Sequence, residues 1–208
     1  MDFDIAVDMF AQSFDTTAVD VIKAFRPTQS RLRLEQLTST TTTSIKFPVQ
    51  DNQGNPFITE VRLNQSDSFV PTSVGFFLAN PTGTTDSAFK LFTYVNPFFF
   101  NAAMTAAYNG IMNITIAKNE YLSNWPLMWH WKSTQTQQTA AAGPASPVDQ
   151  CDGDNDGLKG MQPFVLLIGS QNIEIEIEMP TAPTAITANS RYVLVFDGIL
   201  FQNSTVVS

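Results

Sequence analysis

The 208 residues suit one domain with one core, since all-β sandwiches and barrels commonly reach this length undivided. Only 14% of them are charged, where about 25% is usual, and the formal net charge is −8, so the concentrated Lys and Arg of a nucleic-acid binder are missing. A single cysteine, Cys151, excludes an internal disulfide, and no apolar run approaches the roughly 18 residues of a membrane span.

The chain begins Met1-Asp2-Phe3-Asp4, acidic where a secretory signal is basic, so the expectation is a protein made in the cytoplasm and soluble there until it assembles. Over residues 1–27 the spacing predicts two short helices. Phe3, Ala6 or Val7, Phe10 and Phe14 recur at helical intervals, and Thr17-Ala18-Val19-Asp20 resembles a capping box ahead of Val21, Ile22 and Phe25. Pro27 ends the second helix. Such a segment forms an N-terminal arm that packs on its own domain or on a neighbouring subunit. Arg26, Arg31 and Arg33 form the one basic cluster, with the acidic amino-terminal segment offering salt-bridge partners.

Residues 28–208 read as a β-domain. Leu32, Leu34 and Leu37 alternate with Arg31, Arg33 and Glu35, and the pattern runs on through Ile45, Phe47 and Val49 as one long strand or a pair. Asp51-Asn52-Gln53-Gly54-Asn55-Pro56 predicts a turn, with residues 57–63 returning antiparallel. A strand follows over 69–78, with Pro71 marking a bulge or edge, and another over 89–95. Phe98-Phe99-Phe100 opens a short helix closed by Asn109-Gly110, and residues 111–117 alternate as a strand. Residues 133–160 form a long polar loop, a length that is usually functional or disordered. Gln162 to Ser170 is a continuous apolar run, which implies burial on both faces, and Ile173-Glu174-Ile175-Glu176-Ile177-Glu178-Met179 beside it is an amphipathic strand. Together these two predict a hairpin. A last strand spans 191–201, kinked at Asp197-Gly198.

About eight antiparallel strands predict an all-β, two-sheet Greek-key sandwich, with a single jelly roll the favoured version. An immunoglobulin-like sandwich is disfavoured because one such domain needs only about half this length.

Few residues could carry chemistry. His130 is the only histidine, so a histidine-based metal site, dyad or triad cannot form within one chain, and it is expected to pack beside Trp125, Trp129 and Trp131. Asp152, Asp154 and Asp156 with Gly157 match the first half of a calcium-binding EF-hand loop, but the twelfth position is Pro163 where a bidentate glutamate is needed. They mark a candidate calcium site; otherwise no cofactor is expected. Glu174, Glu176 and Glu178 stand about 6.6 Å apart along one strand face. That strand is similar to the E-x-D-x-E strand of jelly-roll β-glucanases, with Glu176 where that family has Asp. The resemblance implies a retaining hydrolase with Glu174 and Glu178 as nucleophile and acid/base, which needs carboxylates about 5–5.5 Å apart. The simpler reading is a sheet with one wet face, and the expectation is that the chain is not an enzyme.

The strand blocks 31–49, 69–78, 110–117, 162–179 and 191–201, the helical amino terminus and a weakly charged Thr/Asn/Gln-rich surface resemble bacteriophage or viral jelly-roll virion proteins. The resemblance implies a structural capsid component, a homo-oligomer whose partners are copies of itself and other virion proteins, located in the virion. The alternatives are the β-glucanase-like hydrolase and a calcium-dependent carbohydrate-binding sandwich.

Overall fold

The structure, a computed structural model, describes residues 2–51, 59–80, 90–92, 106–130, 158–184, 186 and 190–204. Two helices, α1 (Asp2–Ser13) and α2 (Ala18–Phe25), lead into strands β1 (Thr28–Leu37), β2 (Ser44–Phe47), β3 (Ser68–Asn80), β4 (Lys90–Phe92), β5 (Ile111–Ile116) and β6 (Asn119–Pro126). After a 3-10 turn at Leu127–His130 come β7 (Leu158–Gly160), β8 (Leu167–Ile168), β9 (Ile173–Glu178) and β10 (Arg191–Phe201). The strands make two antiparallel sheets. One runs β1-β10-β3, with β8, β7 and β4 paired in succession to residues 68–69, 73–75 and 78–80 of β3; the other runs β2-β9-β5-β6. The chain is thus mostly antiparallel β in two facing sheets, as the alternation predicts.

Period-two patterning determines which side chains face inward. Ile45 and Phe47 of β2, Met112, Ile114 and Ile116 of β5, and Ile173, Ile175 and Ile177 of β9 point at Leu32, Leu34, Val74, Phe76, Leu78, Tyr192, Leu194 and Phe196 of the other sheet, and all are buried in one cluster. β10 and β3 are also apolar outward, because their outer face is covered. Val193, Val195, Phe77 and Ala79 form a second apolar patch there, and Val70, Ile199 and Phe201 a third under the helices.

Pro71 and Asp197-Gly198, separate irregularities in the sequence, meet across one ladder. Asp197 opposes Ser73 while Gly198 opposes Pro71, so Thr72 is an extra residue and β3 bulges. The bulge switches the parity of β3, with Phe69 inward before it and Val74, Phe76 and Leu78 inward after it. Pro71 lies between the stretches of β3 paired with β8 and with β7, where its missing N–H breaks no ladder bond. Gly198 is required because a Cβ there would overlap the Val70 carbonyl oxygen.

Several expectations are corrected. β8 and β9 are not a hairpin: β8 pairs with Ser68 and Phe69 of the first sheet, and β9 lies between β2 and β5 of the second. Residues 169–172 therefore cross from sheet to sheet. The apolar run before β9 is nonetheless buried on two sides, since Val165 and Leu167 enter the main core while Phe164 and Leu166 pack against the helical cluster. Of the return expected over 57–63, residues 59–63 are described, and they pair by isolated bridges rather than as a strand. Val61 bridges Arg33 of β1 antiparallel, as the return was expected to run, while Leu63 bridges Gln50 in parallel, so this segment lies along the free edge of β1. Of the long loop expected over 133–160, residues 158–160 are β7, held by Ser73 to Gly75, and 133–157 lie outside the described residues. β6 carried no clear strand pattern; two bulges against β5 and a left-handed Asn124 (φ 56°) scramble its alternation. Phe98 to Phe100 lie outside the described residues.

The amino-terminal helices pack on the chain's own sandwich. Thr17 caps α2, its Oγ1 accepting from the Asp20 N–H at 3.2 Å, and Arg26 ends the helix in the left-handed region (φ 44°). Ala6, Val7, Phe10, Val21 and Phe25 are buried against Val70, Ile199 and Phe201. The Phe10 ring stacks 4.3 Å from Phe201, and the Gln202 N–H donates to the Phe25 carbonyl at 3.2 Å.

Candidate functional site

Three polar constellations stand out among the described residues of the sandwich. The first is an ionic network at the outer edge of β1. Outward positions on β1 place Arg33 and Glu35 beside the segment 59–62 and β10. The Glu35 carboxylate, fully buried, accepts from Arg33 Nε at 2.7 Å, Thr59 Oγ1 at 2.5 Å and Arg191 Nη1 at 3.0 Å. Glu60 accepts from the Glu35 N–H at 2.9 Å and is bidentate with Arg62 Nη2 at 2.8 and 3.0 Å. Such charges are tolerated inside only because every carboxylate oxygen is engaged. Arg33 Nη2 is buried without a hydrogen-bond partner. The network pins the 59–62 segment over an edge that would otherwise expose unpaired backbone groups. Its signal in the sequence was only the run Arg31-Leu32-Arg33-Leu34-Glu35, and the partners differ from those expected. Arg31 pairs with Asp197 at 2.5 and 2.8 Å, not with the acidic amino terminus, because β1 and β10 place them opposite one another. That hydrogen bond and the adjacent charge hold the Arg31 guanidinium above its ordinary pKa.

The second constellation is the glutamate row on the outer face of the second sheet. Glu176 accepts from Ser44 of β2, and Glu174 from Lys46 of β2. Glu178 accepts from Asn113 Nδ2 of β5 at 3.3 Å. β2 and β5 flank β9 on opposite sides, so Glu174 and Glu178 are drawn apart laterally as well as being four residues apart along the strand. Lys46 is raised in pKa, first by its hydrogen bond to Glu174 and then by the charges of Glu174 and Glu176. Chemically the row is a paired, solvated strip on one sheet face.

The third surrounds His130. The 3-10 turn packs against β3 and β7 and closes the sandwich between the edge of β6 and the first sheet. His130 is buried, and its Nε2 accepts from Trp125 Nε1 at 3.0 Å, which engages the lone pair a general base would use. The Tyr108 hydroxyl donates to the His130 carbonyl at 3.5 Å, and burial pushes the Tyr108 and Tyr192 phenols well above their ordinary pKa. Trp129, 52% exposed, stands edge-on to Trp125 at 5.1 Å. His130 thus packs beside Trp125, as expected, while Trp131 lies outside the described residues.

Asp152, Asp154 and Asp156, the candidate calcium ligands, lie outside the described residues, as does Cys151. Among the described residues no group of three or more His, Cys, Asp or Glu is placed to hold a metal ion, and no helix is long and apolar enough to cross a membrane. No known protein family, characterised protein or solved structure matches the chain.

Proposed function

We propose that the chain is a structural virion protein: a single jelly roll over residues 28–208 that assembles with copies of itself and other virion proteins, and carries no catalytic centre. The observation that carries this reading is the nesting of the strand pairs. β1 pairs with β10, β2 with β9, β3 with β8 and β7, and β5 with β6. A long antiparallel ribbon rolled up on itself produces such an order, which supports the jelly-roll reading, a fold shared by viral capsid and lectin domains. Fold alone does not choose among those.

The surface favours assembly. Charged residues are scarce, and most of those described on the sheets are already paired within the chain, which lowers the desolvation cost of covering them. The glutamate row supports this over hydrolysis, since Lys46 and Asn113 hold its outer members apart. In native mass spectrometry and electron microscopy of the purified chain, symmetric oligomers or particles are the expected outcome; a strict monomer at high concentration would refute the reading.

A further inference from the structure

The helical layer has two outward surfaces of opposite charge. On α1 the side away from the sandwich carries Ile5, 37% exposed, with Asp4 and Asp8 beside it. On α2, Val19 at 59% and Ile22 at 48% exposure lie beside Lys23 and Arg26, with the exposed Asp20, whose carboxylate accepts from the Thr17 hydroxyl at 2.6 Å, at the start of the helix, so the surface is net positive. None of Asp4, Asp8, Asp20, Lys23 and Arg26 makes an ion pair among the described residues, unlike Arg31, Arg33, Lys46 and Arg191 on the sheets. The apolar exposure is concentrated here as well. Phe3, Ile5, Val19 and Ile22 are four of the ten large hydrophobic side chains left exposed among the described residues, so the helical layer is the surface most in need of a cover.

We infer that the α2 surface of one copy, Val19 and Ile22 flanked by Lys23 and Arg26, docks on the α1 surface of a second copy, Ile5 flanked by Asp8. This rests on the assembly reading above and specifies the contact. The charge pattern selects the geometry. A two-fold contact of either surface with itself sets two net-positive or two net-negative surfaces together, whereas α2, with Lys23 and Arg26 against one Asp20, matches the opposite net charge of Asp4 and Asp8 on α1 around apolar centres. A contact between two different surfaces of identical chains is head-to-tail, and it closes into a ring where the rotation permits. The helix-to-helix contact is small beside the 1,200–2,000 Å² of a stable interface, so it specifies register and orientation within a larger ring contact.

The experiment is a charge swap read by sedimentation velocity on the full chain. Lys23 and Asp8 are exposed, so Lys23→Glu and Asp8→Lys leave the fold intact, with circular dichroism as the control. Lys23→Glu alone raises the concentration for half-assembly by about tenfold or more, and Lys23→Glu combined with Asp8→Lys brings it back to within about threefold of wild type. An assembled wild type that is indifferent to Lys23→Glu, or a double variant no better than the single, overturns this contact and leaves the virion reading standing. A wild type that never assembles overturns both.

Discussion

Replacing Glu35 with Gln tests whether the ionic network is a desolvated structural element. Glu35 is fully buried, and both its oxygens are committed: Oε1 to Arg33 and Thr59, Oε2 to Arg191. Gln preserves the shape but turns an NH2 group toward a guanidinium on one side or the other. It also leaves Arg33 and Arg191 without a counter-charge at that point. Breaking a buried pair from one side costs about 3–5 kcal/mol. Because the Arg33 and Arg191 side chains retain 21% and 14% exposure, solvent offsets part of this, and the lower end of the range, about 3 kcal/mol, is expected. Against a total stability of about 5–15 kcal/mol that is a large fraction. Urea unfolding should show it as a midpoint lowered by about 1–3 M at unchanged slope. Asp197→Asn is the matched comparison. Its partner Arg31 is 60% exposed, so that loss stays below about 1 kcal/mol. If the two variants lowered the midpoint equally, the Glu35 network would be hydrated and the argument from burial wrong.

Two further outcomes follow from local geometry and from titration. Gly198→Ala forces a Cβ onto the Val70 carbonyl oxygen and to 2.8 Å from the Pro71 Cα, so a loss of about 1–3 kcal/mol in urea unfolding is expected, while Gly160→Ala, with nothing within 4 Å, stays within about 0.5 kcal/mol; equal effects would mean that the bulge relaxes freely. Tyr108 and Tyr192 have pKa values raised by burial in the folded state. Unfolded tyrosine releases its proton from about pH 10 while the folded phenols keep theirs, so stability is unaffected by these groups below that pH and falls above it. Between pH 9 and 11 each tyrosine accounts for about 1.4 kcal/mol of loss, and Tyr192→Phe should remove one such share; an unchanged alkaline profile would refute its burial.

Much of the fold was legible because it is written in local periodicity. The alternation of Ile173, Ile175 and Ile177 with glutamates, and of Met112, Ile114 and Ile116 with polar residues, determined which faces are buried, since successive strand side chains point to opposite sides whatever the partner. Thr17 declared its cap, Pro71 and Asp197-Gly198 their irregularity, and the apolar run before β9 its double burial. Pairing was not legible. The adjacent segments around β8 and β9 looked like a hairpin, yet they join different sheets, because a strand's partner is decided by the packing of the whole chain rather than by its neighbour in sequence. The charged groups follow the same rule. Arg31 finds Asp197 across 166 residues, Arg191 finds Glu35 across 156, and the Glu35 N–H finds Glu60 across 25, contacts that no local spacing encodes. Composition and periodicity determined an all-β sandwich with few charges; only the tertiary structure decided where those charges are buried, which strands they join, and which helix faces stay exposed.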